Sequence, residues 1–178
     1  MFAKAYEVTS KFTLPVIVSN RYYDGTVTSG LGSFIVINDK GWILTVAHLF
    51  QSKLKADLDR LEISKFHEEK EKIINDPSLM DLQRKKKTKT LEGDRIKPKW
   101  ITNNSLWWGA DDFLIEKFEI NNELDLAVGQ IKSFDPSRIS GYPVFRDPTE
   151  MKHGSSLCKL GFPFHKVDSS FDPARNAF

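Results

Sequence analysis

The sequence predicts an all-β protein that carries one charged helical insertion. Short runs rich in Val, Ile, Phe and Trp lie before residue 51 and after residue 99, and Gly, Asn, Asp and Pro separate them. Residues 51–99 differ: Lys and Glu dominate, glycine is almost absent, and leucines recur at helical spacing.

The first strand-like segments form a hairpin. Residues 14–18 are a short β-branched run, and a glycine-bearing stretch leads into residues 33–37. Residues 38–41 (NDKG) are a turn signal in which Gly41 suits a positive φ. We expect residues 42–46 to return as the next strand of the same sheet.

The insertion is predicted to be a helix–turn–helix. Residues 75–77 (NDP) interrupt the helical pattern, and Ser78 with Asp81 resembles a capping box for a second helix. The basic run of residues 84–89 (RKKKTK) then lies on that helix or just after it.

After Trp100 the β pattern resumes. Residues 113–120 and 124–131 are strand-like, whereas residues 133–154 are loop-like and contain three prolines. Residues 156–160 read as a further strand that Gly161 ends.

Composition argues against several functional classes. The net charge of +2 argues against a dedicated nucleic-acid or membrane-surface binder, and no apolar run approaches the roughly 20 residues that cross a bilayer. Cys158 is the single cysteine, so no internal disulfide is possible, and residues 1–7 lack signal-peptide features. Together these features favour a reducing, cytoplasmic location.

One histidine and one aspartate are the candidate catalytic residues. An apolar strand ends in small residues and presents His48, whose imidazole, with an ordinary pKa of about 6.5, suits proton transfer near neutrality. Asp125 precedes an apolar strand, so its carboxylate is expected at a buried edge, where it needs a partner. A histidine N–H is such a partner, and the aspartate would then fix the imidazole tautomer.

Three segments follow one another along the chain. The first contains residues 30–34 (GLGSF) and 41–48 (GWILTVAH), the second is residues 124–128 (LDLAV), and the third is residues 154–163 (GSSLCKLGFP). In this order they resemble the signatures of trypsin-like serine peptidases, the chymotrypsin-fold family that includes HtrA-like enzymes. The first is similar to the family's histidine signature, the second to its aspartate signature, and the third to the strand that opens its second barrel.

The resemblance implies a six-stranded antiparallel Greek-key barrel with the helical insertion, followed by the opening strand of an incomplete second barrel. The implied division is an N-terminal barrel over residues 1–132, a linker over 133–153 and the start of the second barrel over 154–178.

The implied function is that of a serine endopeptidase acting through an acyl-enzyme. His48 would be general base and then general acid, and Asp125 would orient it. The expected partners are a polypeptide substrate and the C-terminal half of the peptidase domain. No cofactor and no membrane are expected, and nucleic acid is a less favoured partner.

Two departures from the family qualify this prediction. The insertion separates His48 from Asp125 further than is usual, and the family's Gly-Asp-Ser-Gly-Gly motif is absent. Residues 154–156 (GSS) lack the flanking glycines and precede the second-barrel strand. The nucleophile is therefore expected beyond Phe178, and the chain by itself is expected to be inactive.

Other interpretations remain open. The barrel could be a catalytically inactive scaffold or binding module, or residues 84–89 could associate with nucleic acid, although a solvated helix face is the commoner meaning of such a run. Cys158 fits a small buried hydrophobe better than a nucleophile. His67, His153 and His165 show no metal-ligand spacing with one another or with Cys158.

Overall fold

The computed structural model describes residues 2–150, 152–154, 156–157, 159–162 and 167–178. Within this part of the chain the strands are β1 Thr13–Tyr22, β2 Val27–Val36, β3 Trp42–Thr45, β4 Ile101–Trp108, β5 Asp111–Phe113, β6 Ile115–Asn121 and β7 Leu126–Ile131. The α-helices are α1 Ala3–Thr9, α2 Ala47–Ile74 and α3 Asp81–Arg95, and short 3-10 helices cover Pro136–Arg138 and Pro148–Glu150.

The strands form one antiparallel sheet in the order β5-β4-β1-β2-β3-β7-β6. The two edge strands, β5 and β6, are consecutive in the chain and only Leu114 separates them. The sheet must therefore curl until its edges adjoin at that residue. An antiparallel, barrel-like β fold with a helical insertion is thus confirmed.

The sheet has seven strands where six were expected. The segment 113–120, predicted as one strand, is divided at Leu114 because the two sides of that residue pair with different neighbours. Residues 111–113 pair with β4, and residues 115–121 pair with β7.

The turn between β2 and β3 is as the sequence predicts. Gly41 has a φ of 74°, in the left-handed region that favours glycine. A Cβ at this position would lie 2.4 Å from the Cβ of Phe134. The Asn38 side-chain oxygen accepts hydrogen bonds from the backbone N–H groups of Lys40 and Trp42, at 3.0 and 3.3 Å.

The barrel core is built from alternate residues of the strands and from the first turn of α2. Phe34, Val36 and Ile43 are almost fully buried at its centre, and Leu49 and Phe50 pack against them. The prediction that the insertion starts at residue 51 is therefore wrong at this boundary. The helix begins at Ala47, and its first turn belongs to the core.

The remainder of α2 and all of α3 form a charged helical hairpin. An ion pair of 2.9 Å joins Glu69 to Arg95 across the two helices. The predicted Ser78 cap is replaced by another: α3 starts at Asp81, and the Met80 N–H donates to the side chain of Gln83 at 3.0 Å. Ser78 instead donates to Asp76, at 2.6 Å.

The C-terminal part departs from the predicted strand. At 156–157 and 159–160, the described residues of that segment, no strand is formed. Residues 167–178 instead pack back on the sheet, where the Ser169 hydroxyl lies 2.7 Å from the hydroxyls of both Ser19 and Ser29. Of the described helices, none is long and apolar enough to span a membrane.

Candidate functional site

The sheet brings His48 and Asp125 together although 77 residues separate them in the chain. Strands β3 and β7 are antiparallel neighbours, with Thr45 opposite Ala127. The end of β3 therefore lies beside the start of β7. His48 follows β3 as the second residue of α2, and Asp125 directly precedes β7. The imidazole is thus held by a helix and not, as predicted, by a strand end.

The two side chains are in direct contact. The Nδ1 atom of His48 lies 3.0 Å from Oδ2 and 3.2 Å from Oδ1 of Asp125, within the range of a hydrogen bond. A carboxylate can only accept, so in the neutral imidazole Nδ1 carries the proton and Nε2 keeps its lone pair. Within the described ranges, no hydrogen-bond partner occupies Nε2.

Asp125 also caps the N-terminus of α2. Its backbone carbonyl accepts the Ala47 N–H at 3.1 Å, and its Oδ1 accepts the His48 N–H at 3.2 Å. The residue at the helical N-cap position, Val46, has no side-chain acceptor to offer. A carboxylate from a distant loop thus satisfies donors that the helix start leaves unpaired.

The loop that carries Asp125 is fixed by further contacts. Asp125 has a φ of 48°, a conformation that aspartate tolerates better than most residues. The Gln51 side chain, on α2, donates to the side-chain oxygen of Asn122 at 3.3 Å. Sequence reasoning missed both Gln51 and Asn122, because only the turn tendency of Asn122 was visible.

Local interactions keep Asp125 ionised. The hydrogen bond from the His48 ring is the largest influence and lowers the pKa of the Asp125 carboxyl below its ordinary 3.8. The backbone N–H groups of His48 and Ala47 lower it further, and partial desolvation opposes them. The partner of the imidazole is therefore negatively charged at neutral pH.

The pair is open to solvent. The His48 side chain is 61% exposed and that of Asp125 is 53% exposed. The apolar side chains of Leu124 and Leu126, on either side of Asp125, are exposed as well. The arrangement can orient an imidazole, accept a proton at Nε2 and stabilise the resulting imidazolium.

The other candidate residues lie elsewhere or outside the described ranges. His67 lies on α2, where its ring packs against Phe66 at 5.3 Å. His153 is exposed, whereas His165 and Cys158 are outside the described residues. In the described part of the chain, no group of three or more His, Cys, Asp or Glu side chains could hold a metal ion.

The chain was compared with known proteins. No protein-family model matches it, and no curated protein matches it significantly.

Proposed function

We propose that this chain supplies the histidine and aspartate of a trypsin-like serine endopeptidase. The observation that carries the proposal is the contact between His48 Nδ1 and the Asp125 carboxylate, which leaves the lone pair of Nε2 directed away from the aspartate. This is the tautomer and orientation that a general base needs.

In the proposed mechanism, Nε2 of His48 takes the proton of a serine hydroxyl as its oxygen attacks the peptide carbonyl. Asp125 stabilises the imidazolium that forms, and His48 then returns the proton to the leaving amine. Water attacks the acyl-enzyme by the same proton route. The hydroxyl that meets Nε2, and the amide donors that bind the oxyanion, would both have to come from outside the described residues.

The strand order supports the same family. If β5 and β6 are counted as one strand that bends at Leu114, the sheet becomes a closed ring of six strands. Numbered along the chain, the ring runs 1-2-3-6-5-4, and its strands 4-1-2-3 have the Greek-key order that the resemblance to trypsin-like peptidases implies. The motif GLGSF lies on β2, GWILTVAH runs from β3 into the start of α2, and LDLAV leads into β7. The cytoplasmic location, the polypeptide substrate and the division at residues 132 and 153 remain predictions.

A catalytically inactive scaffold is the second candidate. It is favoured by the capping role of Asp125, which gives this residue a structural function without any catalysis. Within the described residues, no hydroxyl lies within hydrogen-bonding distance of the His48 ring.

The test uses the full gene product that contains this chain. We expect it to react with a fluorophosphonate probe and to hydrolyse casein, and we expect Asp125→Asn to lower kcat by about 10⁴-fold. Asp57→Asn, at a half-buried aspartate of α2, is the matched control and should leave kcat unchanged. A folded gene product that neither reacts with the probe nor hydrolyses casein would establish the scaffold instead.

A further inference from the structure

Positive charge is concentrated on α3. This helix carries a net charge of +3, whereas the whole chain carries only +2. The remainder of the protein is therefore slightly acidic, and a weak overall charge conceals a strongly basic element.

Four lysines of α3 are exposed and form no salt bridge with the described residues, although the charge of one of them, Lys87, helps to lower the pKa of the Asp76 carboxyl. We call Lys85, Lys86, Lys87 and Lys89 the lysine cluster; within the described part of the chain, none of the four forms a hydrogen bond or an ion pair. Their neighbour Arg84, by contrast, donates to the carbonyl of Asp76.

Basic residues elsewhere on the hairpin are mostly neutralised. They pair with carboxylates at 2.8–3.3 Å in Lys53–Asp57, Lys70–Glu92, Arg95–Glu69 and Lys97–Glu62. The other solvent-exposed helix faces of this protein therefore carry many ion pairs, whereas the lysine cluster forms none with the described residues.

The lysine cluster surrounds the free side of α3. The opposite side of the helix, which includes Arg84 and Leu91, is partly covered by α2. Two grooves run between the helices. Lys86 and Lys87 line the groove that contains Ile73 and Leu91, together with one carboxylate, Asp94. Lys85 and Lys89 line the groove that contains Ile74, together with Asp81 and Glu92. Cations thus lie on both flanks of one helix.

We propose that α3 binds double-stranded DNA by entering its major groove, with the lysine cluster on the phosphates of both flanking strands. The major groove is about 12 Å wide and admits one α-helix between two backbones. A flat anionic membrane would engage only one flank of α3, and the major groove of A-form RNA is too narrow for side chains to read.

This surface is separate from the candidate catalytic pair and does not depend on the proposed peptidase function. His48 begins α2 and Ile73 lies near its end, so at 1.5 Å per residue about 37 Å of helix separates them. The lysine cluster packs beside the distal end of that helix.

The test is the fluorescence anisotropy of a labelled 20-base-pair duplex, titrated with the protein between 50 and 200 mM salt. Four phosphate contacts predict a slope of log K against log salt of about −3.6, which is a roughly 100-fold loss of affinity over this range. The variant K85Q/K86Q/K87Q/K89Q should lose most of that slope and most of the binding at 50 mM. Glutamine retains helix propensity, and circular dichroism verifies the fold.

The control removes the same four charges from exposed lysines elsewhere, in K4Q/K40Q/K117Q/K132Q. It should bind the duplex within about threefold of the unmodified protein, because non-specific steering by net charge is a small effect beside direct phosphate contacts. Equal loss in the two variants would overturn the proposal. Tighter binding to phosphatidylserine vesicles or to polyglutamate than to the duplex, at the same salt, would also overturn it.

Discussion

Asp125 serves two groups at once, the ring of His48 and the start of α2. The helix N-terminus offers unpaired N–H groups and a partial positive charge, both of which favour an anion. The Asp125 carbonyl accepts the backbone N–H of Ala47, and its Oδ1 accepts the backbone N–H of His48. The same carboxylate also accepts a hydrogen bond from Nδ1 of His48. The cap and the imidazole contact therefore position each other.

The charge of Asp125 should be visible in the pH dependence of stability. Because its pKa is lower in the folded chain than the ordinary 3.8, the ionised carboxylate stabilises the fold above that value. This stabilisation is lost as the pH falls through the folded-state pKa. Asparagine keeps the shape, an acceptor oxygen and the tolerance of positive φ, but carries no charge. We expect Asp125→Asn to lower Tm at pH 7.

The measurement is thermal unfolding followed by circular dichroism between pH 7 and pH 3. The Tm values of the unmodified chain and of Asp125→Asn should converge as the solution is acidified, since protonation removes the same charge that the substitution removes. Parallel curves, with a constant difference in Tm, would show that the carboxylate charge contributes nothing to folding.

The sequence was sufficient to predict the contact between His48 and Asp125. It was not sufficient to show the cap, the φ of 48° at Asp125 or the bond between Gln51 and Asn122. These depend on the ends of β3 and β7 lying side by side, which is set by long-range strand pairing. Local patterns carry no information about such pairing.

At the level of elements, helix and strand boundaries were the weakest predictions. The sequence predicts a strand over residues 42–46 that presents His48 at its end, and a charged helical pattern that starts only at residue 51. In the structure residues 47–50 form the first turn of α2, and Leu49 and Phe50 fill the barrel core. These residues are apolar because they pack into the barrel core. A short apolar run of this kind occurs in buried strands as well as buried helices, so periodicity alone could not distinguish the two here.

The docking of α2 on β4 depends on a buried carboxylate. Asp59 is only 8% exposed; it accepts the Ile101 N–H at 2.7 Å and pairs with Lys55. Asp59→Ala would leave the Ile101 N–H buried without a partner, which costs about 1–3 kcal/mol. Asp57, two residues earlier, is half-buried but accepts no buried backbone N–H from the described residues; it forms ion pairs with Lys53 and Arg60, so Asp57→Ala should cost less than about 1 kcal/mol.

Urea unfolding of the two variants measures both free energies. The difference between them isolates the buried contact, since both substitutions remove one aspartate from the same helix. Equal losses of unfolding free energy would mean that the Asp59–Ile101 hydrogen bond does not hold α2 on the barrel.

For the whole molecule, the packing of residues 167–178 on the sheet could not be predicted from the sequence. No pattern was visible there, yet the segment packs on the sheet: the Arg21 guanidinium lies 4.4 Å from the centre of the Phe171 ring, and the Asn103 side chain donates to Asn176 at 3.3 Å. Each contact joins residues far apart in the chain through side chains alone. Neither periodicity nor turn chemistry reports such contacts.

Ser169 is the anchor of that segment, and its removal should destabilise the β1–β2 hairpin. Its hydroxyl lies 2.7 Å from those of Ser19, which is fully buried, and Ser29. Ser169→Ala should lower the free energy of unfolding by about 1 kcal/mol, because Ser19 and Ser29 then retain only their mutual contact of 3.3 Å. Ser170→Ala, at an exposed neighbour, is the control and should change it by less than about 0.5 kcal/mol.

Removing residues 167–178 altogether should cost more than Ser169→Ala, because the contacts of Phe171 and Asn176 are lost as well. Hydrogen exchange then distinguishes local from global effects. Amides of β1 and β2 should exchange faster in the truncated chain, because the contacts of Ser169 and Phe171 are made with these strands. None of the contacts named above joins residues 167–178 to β6 or β7, so the exchange rates of those amides should change only as far as global stability changes. Unchanged exchange in β1 and β2 would mean that the segment rests on the sheet without supporting it.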